Sequence, residues 1–289
     1  MITYINSERV KRVADTLRRV PIQAIDVIEA NDPQYTAVKK ILRVCDECGI
    51  ALVIANALVS YRLSTTGEKY WLEFASFVES QGCEGTVYSV MEKFLQQTRS
   101  NRMMQGQKLS RIKKVDTLLQ AICANPHNYR DLQVLVSSLA RSLNAKPIEK
   151  TIVFAAKMAY YAFKSINIEA ENIDQIPIPV DRRVALLTST SGLVDASPEL
   201  IFQRLREKAA YAWQKVSEIS RIPSINLDAI IWLPARSIER YLRIGIEAAR
   251  DEYAKKLVDY SKGLISWKLA NDIAKEILYK DPFAKRPRM

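Results

Sequence analysis

Two short segments of the chain combine residue types that could do chemistry: a lysine that leads a helix and a carboxylate that precedes a later one. The first runs Lys150-Thr-Ile-Val-Phe-Ala-Ala-Lys, and the second is Val-Asp181-Arg-Arg. An uncharged lysine amine is a nucleophile, and a carboxylate moves protons or stabilises positive charge. A solvated lysine and an ordinary helix cap would show the same spacing, so the pattern alone leaves both interpretations open.

The spacing of residues around Lys150 predicts a helix with a cationic stripe. Side chains three or four positions apart share a helix face, so Phe154, Lys157 and Lys164 fall beside Lys150. Apolar and small residues occupy the other faces. Because a stripe of this composition makes a poor core, we expect it to form a surface that binds an anionic ligand.

Asp181 follows a run that cannot be helical, Ile176-Pro-Ile-Pro-Val180. Each proline lacks an amide donor and disfavours the α conformation of the residue before it. We therefore predict that Asp181 is the N-cap of a helix beginning at Arg182, since aspartate accepts hydrogen bonds from the free amides of a first helical turn.

The elements that must position these residues all have the pattern of helices. Apolar residues recur at helical spacing, no segment alternates convincingly as a strand, and only 8 glycines occur. The predicted helices include 7–30 with a break at Pro21, 49–63, 86–97, 107–123, 130–143, 197–219 and 237–279. The predicted fold class is all-α, without a glycine-rich phosphate loop.

The composition indicates a globular protein with a polyanionic partner. The 289 residues are 48% hydrophobic, and 43 Lys and Arg against 32 Asp and Glu give a net charge of +11. That charge favours nucleic acid, although a merely soluble basic protein would share it. No apolar run reaches the roughly 18 residues of a membrane span, so we expect no membrane partner and an intracellular location.

Catalysis by histidine or by a bound metal is not indicated. The one histidine, His127, lies in a segment typical of a surface loop, which leaves chemistry to lysine and carboxylates. Two of the four cysteines form Cys45-Asp-Glu-Cys48, but no second pair follows at metal-ligand spacing. We expect neither a metal nor an organic cofactor.

Three further residues, Gln34, Asp228 and Trp232, could contact a planar polar ligand, whereas Trp71 has the pattern of a core residue. Gln34 lies near a helix start, where its amide could read a ligand or simply be exposed. Trp71 falls in the first turn of a helix, a usual place for a core tryptophan. Asp228 and Trp232 share a face if their segment is helical, which would suit a nucleobase or a half-buried helix start.

The connection Asn144-Ala-Lys-Pro-Ile-Glu149 joins two predicted helices, and the second is basic at its start. A tight turn between helices suits a phosphate, because its amides point outward and the helix dipole favours an anion. An ordinary helix hairpin would have the same sequence pattern.

Several segments together resemble the helix-hairpin-helix DNA glycosylases, and more closely the archaeal 8-oxoguanine DNA glycosylase family AGOG. Besides the two segments above, they are Asp32-Pro-Gln-Tyr35, Asn56-Ala-Leu-Val-Ser-Tyr-Arg-Leu63, Gly67-Glu-Lys-Tyr-Trp71 and Leu227-Asp-Ala-Ile-Ile-Trp-Leu233. Two features depart from the family. The hairpin 143–149 lacks the Gly-x-Gly turn of the superfamily, and the chain beyond about residue 240 is longer than the family leads us to expect.

The resemblance implies a helix-hairpin-helix DNA glycosylase fold: two helical subdomains with the active site in the cleft between them. We place one subdomain at 44–166, with the hairpin and Lys150, and the second at 1–43 plus 167–240. Residues 241–289 would be a C-terminal helical extension and basic tail. The implied partner is double- or single-stranded DNA, and the implied protein is a cytoplasmic, nucleoid-associated monomer.

The resemblance also implies a role for each candidate residue. Lys150 would be a Schiff-base nucleophile, its charged form disfavoured by burial and by Lys157, and Asp181 would be the catalytic carboxylate. Six residues would bind the extruded base: Gln34 and Asp228 by hydrogen bonds, Phe154 and Trp232 by stacking, and Trp71 and Lys157 as pocket lining.

The activity implied is that of an N-glycosylase that excises 8-oxoguanine and then cleaves the strand by β-elimination. An acceptor facing N7-H of the lesion would distinguish it from guanine, and Gln34 or a backbone carbonyl could supply that acceptor. Two alternatives remain at this stage: a basic all-α DNA-binding protein without catalysis, and a glycosylase for a different oxidised base.

Overall fold

The computed structural model describes residues 5–283, which form helices joined by short turns. Along these residues lie α1 (Ser7–Leu17), α2 (Ile22–Ala30), α3 (Pro33–Cys45), α4 (Gly49–Leu58), α5 (Gly67–Gln81), α6 (Val87–Gln97), α7 (Gln105–Ala124), α8 (Leu132–Leu143), α9 (Lys150–Ser165), α10 (Arg182–Thr190), α11 (Pro198–Arg204), α12 (Arg206–Ser220), α13 (Ser224–Trp232), α14 (Ile238–Leu242), α15 (Ile246–Tyr260) and α16 (Trp267–Ile277). The β-structure of the described range is limited to two isolated β-bridges. The all-α prediction is confirmed.

The chain divides into two compact units, which we name by the candidate residue that each carries. The lysine unit is Asp32–Ile176, and the aspartate unit is Met1–Asn31 together with Pro177–Met289. This division differs from the predicted boundaries at 44 and 166. Helix α3 packs against α5 and α9, and the Leu132 amide donates to the Glu171 carbonyl at 3.1 Å, which joins the segment after α9 to the start of α8.

Helix α4 is the centre of the lysine unit. Every residue of α4 is buried, as expected for a helix that is apolar on all sides. It packs against α7 and α9, so the helix that carries Lys150 rests on a fully covered support. The predicted buried helix over 49–63 is thus present, although α4 ends at Leu58.

Two disulfides, Cys45–Cys83 and Cys48–Cys123, cross-link the lysine unit, and no described cysteine is free. They tie the turn between α3 and α4 to the ends of α5 and α7. The closed loops span 38 and 75 residues. The two cysteines of the Cys-x-x-Cys segment therefore have a structural role, which the spacing of Cys45 and Cys48 did not reveal.

A buried polar network fixes the loops before α5 and α7. The Asn101 amide donates to the Val59 carbonyl at 3.2 Å and to the Tyr70 hydroxyl at 3.1 Å. The Lys108 ammonium donates to the Asn101 side-chain oxygen and lies 4.8 Å from the Tyr61 ring centroid. Lys108 is fully buried, and burial lowers its pKa to about 8.

In the aspartate unit, Arg9 joins α1 to the C-terminal helices. Its guanidinium donates to the Ser191 carbonyl at 2.8 Å, pairs with the Glu276 carboxylate at 2.7 Å and lies 3.9 Å from the Tyr279 ring centroid. Helix α16 also packs against α15 and α1. The predicted C-terminal extension, as far as it is described, is therefore an integral part of the aspartate unit.

Two long predicted helices are shorter in the structure. The predicted helix 197–219 is two helices, α11 and α12, separated at Leu205. The predicted helix 237–279 is three, α14 to α16, because Gly245 and Gly263 adopt positive φ values of 158° and 80°. Residues 284–289 of the predicted basic tail lie outside the described residues.

We expect Arg9→Met to lower the free energy of unfolding by about 2 kcal/mol, because it leaves buried carbonyl and carboxylate partners without their donor. Urea titration followed by circular dichroism measures this loss. The matched control is Arg12→Met on the same helix, whose exposed pair with Glu8 should contribute no more than about 0.5 kcal/mol. Equal losses in the two variants would contradict the role given to Arg9.

The lowered pKa of Lys108 makes a prediction about pH. Below pH 8 the amine is charged in both states, whereas between pH 8 and 10 only the unfolded chain keeps its proton, so the stability rises with pH. We expect the difference in unfolding free energy between wild type and Lys108→Met to move in favour of wild type from pH 7.5 to pH 10. A difference that does not change with pH would refute it.

Candidate functional site

Lys150 is the first residue of α9, and its ammonium lies over an aromatic ring one turn later. The distance from Lys150 Nζ to the Phe154 ring centroid is 5.4 Å. Phe154 meets Trp71 of α5 edge to face, with ring centroids 6.2 Å apart. Lys150 and Phe154 are half-buried, whereas Trp71 is fully buried. The lysine unit thus brings three of the predicted site residues together.

The indole of Trp71 has an unusual feature for a core residue. Its Nε1-H is buried and has no hydrogen-bond acceptor among residues 5–283. A buried donor without a partner costs free energy, and native structures contain few of them. Core packing alone does not account for this donor.

Gln34 lies in the first turn of α3 and is buried, so the interpretation of it as an exposed residue is wrong. Its backbone amide donates to the Asp32 carboxylate at 2.8 Å. A Cβ built on Gly67, at the start of α5, would lie 3.4 Å from the Gln34 side-chain nitrogen. Gln34 therefore borders the same end of α5 that carries Trp71.

The prediction of an exposed cationic stripe on α9 is wrong, because Lys157 is buried. It is 1% exposed, and its ammonium lies 5.3 Å from the Tyr161 ring centroid. The Tyr161 hydroxyl donates to the Asp32 carboxylate at 3.1 Å. Helix α9 is covered on most sides, so Lys150, Lys157 and Lys164 do not form one continuous surface.

The hairpin between α8 and α9 turns without glycine. Asn144 adopts the left-handed conformation with φ of 49°, and the Ala145 amide donates to the Ala140 carbonyl at 2.9 Å. Asparagine tolerates this conformation better than most residues. Asn144 is thus the left-handed C-cap of α8, a position that glycine often occupies.

A side chain of α7 forms an ion pair and a hydrogen bond with residues at the start of α9. Arg111 pairs with the Glu149 carboxylate at 2.8 Å and with the Thr151 hydroxyl oxygen at 2.7 Å. Thr151 in turn donates to Glu149 at 3.0 Å. Next to this cluster a depression of about 400 Å³ is lined by Tyr61, Gly106, Gln107, Ser110, Arg111, Lys114 and Leu143.

Asp181 is the N-cap of α10, as predicted. Its Oδ1 accepts from the Val184 amide at 2.8 Å. Its Oδ2 accepts from Trp232 Nε1-H at 2.9 Å. The guanidinium carbon of Arg183 lies 3.7 Å from the Trp232 ring centroid. The aspartate unit thus brings Asp181 and Trp232 into direct contact, and it adds Arg183, which the sequence did not single out.

Helix α13 carries Asp228 and Trp232 on one face, as predicted from their spacing. Asp228 is buried, and Trp232, the last residue of the helix, is half-buried. The helix ends two residues before Pro234, and Leu233 between them keeps α-helical dihedral angles of −64° and −50°. Pro234 therefore lies outside α13 and does not interrupt it.

Asp181 is accessible from a cavity of about 600 Å³ within the aspartate unit. Its lining comes from the start of α10, from α11 and from the segment after α13, and it includes Arg182, Ser197, Phe202, Ser237 and Phe283. Helix capping therefore leaves the carboxylate beside open space.

Residues 5–283 contain no cluster of three His, Cys, Asp or Glu side chains that could hold a metal ion, and no helix among them is long and apolar enough to cross a membrane. His127 is exposed, in a short 3₁₀ helix at Pro126–Tyr129, with Nε2 3.7 Å from the Glu47 carboxylate.

A protein of known structure has a fold similar to that of this chain. The fold matches a crystal structure of an 8-oxoguanine DNA glycosylase from Pyrobaculum aerophilum in complex with 8-oxoguanosine, with a TM-score of 0.72, 28% identity, and coverage of 89% of this chain and 97% of that one. The chain therefore has the fold of a helical DNA glycosylase.

Sequence comparison identifies the family. The profile of the AGOG family, described as N-glycosylase/DNA lyase, matches residues 14–270. N-glycosylase/DNA lyases of Pyrobaculum aerophilum and Methanopyrus kandleri are 33% and 34% identical over 232 and 222 residues, which cover 80% and 75% of this chain and 87% and 86% of theirs. The chain belongs to the AGOG family of N-glycosylase/DNA lyases, and the resemblance stated from its sequence is confirmed.

The two hydrogen bonds of Asp181 make a testable prediction. Asp181→Asn keeps an oxygen for the Val184 amide, whereas Asp181→Ala loses it, and neither variant keeps the acceptor for Trp232. We expect the alanine variant to be about 1 kcal/mol less stable than the asparagine variant in urea titration. The control pair is Asp131→Asn and Asp131→Ala, at the N-cap of α8, which should show the same difference. Equal stability of the two Asp181 variants would exclude capping by this side chain.

Proposed function

We propose that this protein excises 8-oxoguanine from DNA and then cleaves the strand at the abasic site, with Lys150 as nucleophile and Asp181 as catalytic carboxylate. Membership of the N-glycosylase/DNA lyase family supports the two activities. The solved relative in complex with 8-oxoguanosine supports the lesion. The observation that carries the assignment of Lys150 is its place at the start of α9, with an aromatic ring one turn away.

The base must leave the stack before an amine can reach C1′ of its sugar. Phe154 is half-buried and held edge to face by Trp71, so one aromatic face is fixed in orientation beside Lys150. Stacking of a base on such a ring contributes roughly 1 to 3 kcal/mol. We propose that Phe154 and Trp232 stack on the extruded base.

We propose that the polar atoms of the base are read by buried side chains. The Trp71 Nε1-H, which has no acceptor among the described residues, would donate to a base oxygen. Gln34 borders the same end of α5, and its side-chain oxygen is the candidate acceptor for N7-H of 8-oxoguanine. Lys157 and Asp228 complete the proposed set as buried charged groups.

The covalent step begins with neutral Lys150. Its nitrogen lone pair bonds to C1′, the bond from C1′ to the base breaks, and the base leaves with the electron pair and takes up a proton. Opening of the sugar ring and loss of a proton from nitrogen then give the Schiff base. This intermediate acidifies the C2′ hydrogen, so removal of that proton expels the 3′ phosphate, and water finally releases Lys150.

Asp181 would serve the same reaction as a carboxylate. Positive charge develops on the sugar as the base departs, and a nearby anion lowers the energy of that state. Its two oxygens accept from the Val184 amide and the Trp232 indole, so its orientation is fixed before substrate arrives. These steps use no metal and no organic cofactor.

We propose that the hairpin and the basic depression beside it contact the DNA backbone. The exposed residues of the turn precede the first turn of α9, and the start of a helix is a usual phosphate site. Arg111 and Lys114 line the neighbouring depression. Action as a monomer, on double- or single-stranded DNA, and a cytoplasmic, nucleoid-associated location remain predictions.

Borohydride trapping tests the proposed nucleophile. Wild type, incubated with DNA carrying 8-oxoguanine and sodium borohydride, should form a covalent adduct that survives denaturing electrophoresis, because borohydride reduces the Schiff base. Lys150→Gln should form none, since its amide nitrogen cannot attack C1′. The matched control is Lys164→Gln, on the same helix and also half-buried, which should keep the adduct.

Two outcomes separate the alternatives. A wild type that binds the lesion DNA but never forms an adduct would support a DNA-binding protein without catalysis. An adduct on DNA with oxidised pyrimidines, but not with 8-oxoguanine, would support a glycosylase for another lesion. An adduct that persists in Lys150→Gln would mean that a different amine is the nucleophile.

A further inference from the structure

Trp232 is engaged on three sides by groups of its own unit. Its indole Nε1-H donates to Asp181 Oδ2 at 2.9 Å. The guanidinium carbon of Arg183 lies 3.7 Å from its ring centroid, and Arg183 Nη1 donates to its backbone carbonyl at 3.1 Å. A single arginine therefore holds both the ring and the main chain of the residue that hydrogen-bonds Asp181.

The Trp232 carbonyl that Arg183 contacts lies at the end of α13, where carbonyls need a hydrogen-bond donor. Trp232 is the last residue of α13, and the carbonyls of a final helical turn lack intrahelical donors. Arg183 supplies a donor there and lays its planar cation on the indole, a pairing in which a guanidinium is favoured over an ammonium. Lysine at this position could not make both contacts with the same geometry.

The position of the Trp232 indole also determines the orientation of the Asp181 carboxylate. Its Oδ1 is fixed by the Val184 amide and its Oδ2 by the Trp232 indole, so both oxygens have defined positions. If the indole moved, the carboxylate would be held at one oxygen only and could rotate. Arg183 also covers one face of Trp232, so the indole can offer a base only its opposite face.

We propose that Arg183 is a positioning residue for base excision, which acts through Trp232 to fix the orientation of the Asp181 carboxylate. This inference rests on the proposed function. Trp232 then has a second role besides stacking. Its indole N-H holds the Asp181 carboxylate in the orientation in which its charge faces the sugar.

The test compares single-turnover excision of 8-oxoguanine with binding of the same DNA. We expect Arg183→Lys, which keeps the charge, to lower the rate constant at saturating enzyme roughly tenfold or more, because a hydrogen bond to a charged group is lost or misaligned. The dissociation constant for the DNA should change less than about threefold, since no phosphate contact is removed.

The matched control is Arg206→Lys. Arg206 lies 4.1 Å from the Phe202 ring centroid and donates to the Phe202 carbonyl, so it makes the same pair of contacts as Arg183 without a link to a carboxylate. We expect Arg206→Lys to excise at the wild-type rate.

A double-mutant cycle that combines Arg183→Lys with Trp232→Phe tests whether Arg183 acts on the excision rate through Trp232. Phenylalanine keeps an aromatic face but has no N-H, so this variant should also lose rate. If Arg183 acts through Trp232, the double variant should be no slower than Trp232→Phe alone by more than about threefold. Rates that fall by the product of the two single effects would overturn the proposal.

Two further results would also overturn it. One is a wild-type rate in Arg183→Lys. The other is a loss of DNA affinity in Arg183→Ala with an unchanged excision rate at saturating enzyme. If the slope of log K against log salt concentration also falls by about one, Arg183 contacts a phosphate. A wild type that never excises 8-oxoguanine would instead refute the proposed function, so the two failures are distinguishable.

Discussion

The amides and carbonyls at helix ends lack intrahelical partners, and the groups that satisfy them position most of the candidate site. Asp181 caps α10, Lys150 and Gln34 stand in the first turns of α9 and α3, and Trp232 ends α13. Each terminus fixes a side chain more precisely than a flexible loop would. The Asp181 carboxylate shows this most directly, because the oxygen that caps α10 also orients the other oxygen toward Trp232.

Local sequence rules predicted the features that depend on neighbours in the chain. The two prolines before Asp181 exclude a helix there, and the carboxylate that follows them is a cap for that reason. The nearly continuous apolar segment after Gly49 likewise predicted a buried helix. The assignment of roles to Lys150 and Asp181 came from resemblance to a family, since no local rule distinguishes a catalytic lysine from a solvated one.

The features that were missed depend on contacts between distant parts of the chain. Lys157 was expected on a surface, but Tyr161 and the helices around α9 cover it. The cysteines of Cys45-Asp-Glu-Cys48 bond to partners 38 and 75 residues away, which their own spacing cannot indicate. Arg183 gains its place only because α13 ends beside α10, a tertiary arrangement that no periodicity in the sequence encodes.

Buried polar groups reduce the stability of the lysine unit. In the lysine unit, the Trp71 N-H is buried without an acceptor among the described residues, and Lys108 is buried at the cost of a lowered pKa. The same unit contains both disulfides, and loops of this size are each expected to contribute about 4 kcal/mol on a chain-entropy argument. The cross-links thus offset the cost of these buried polar groups.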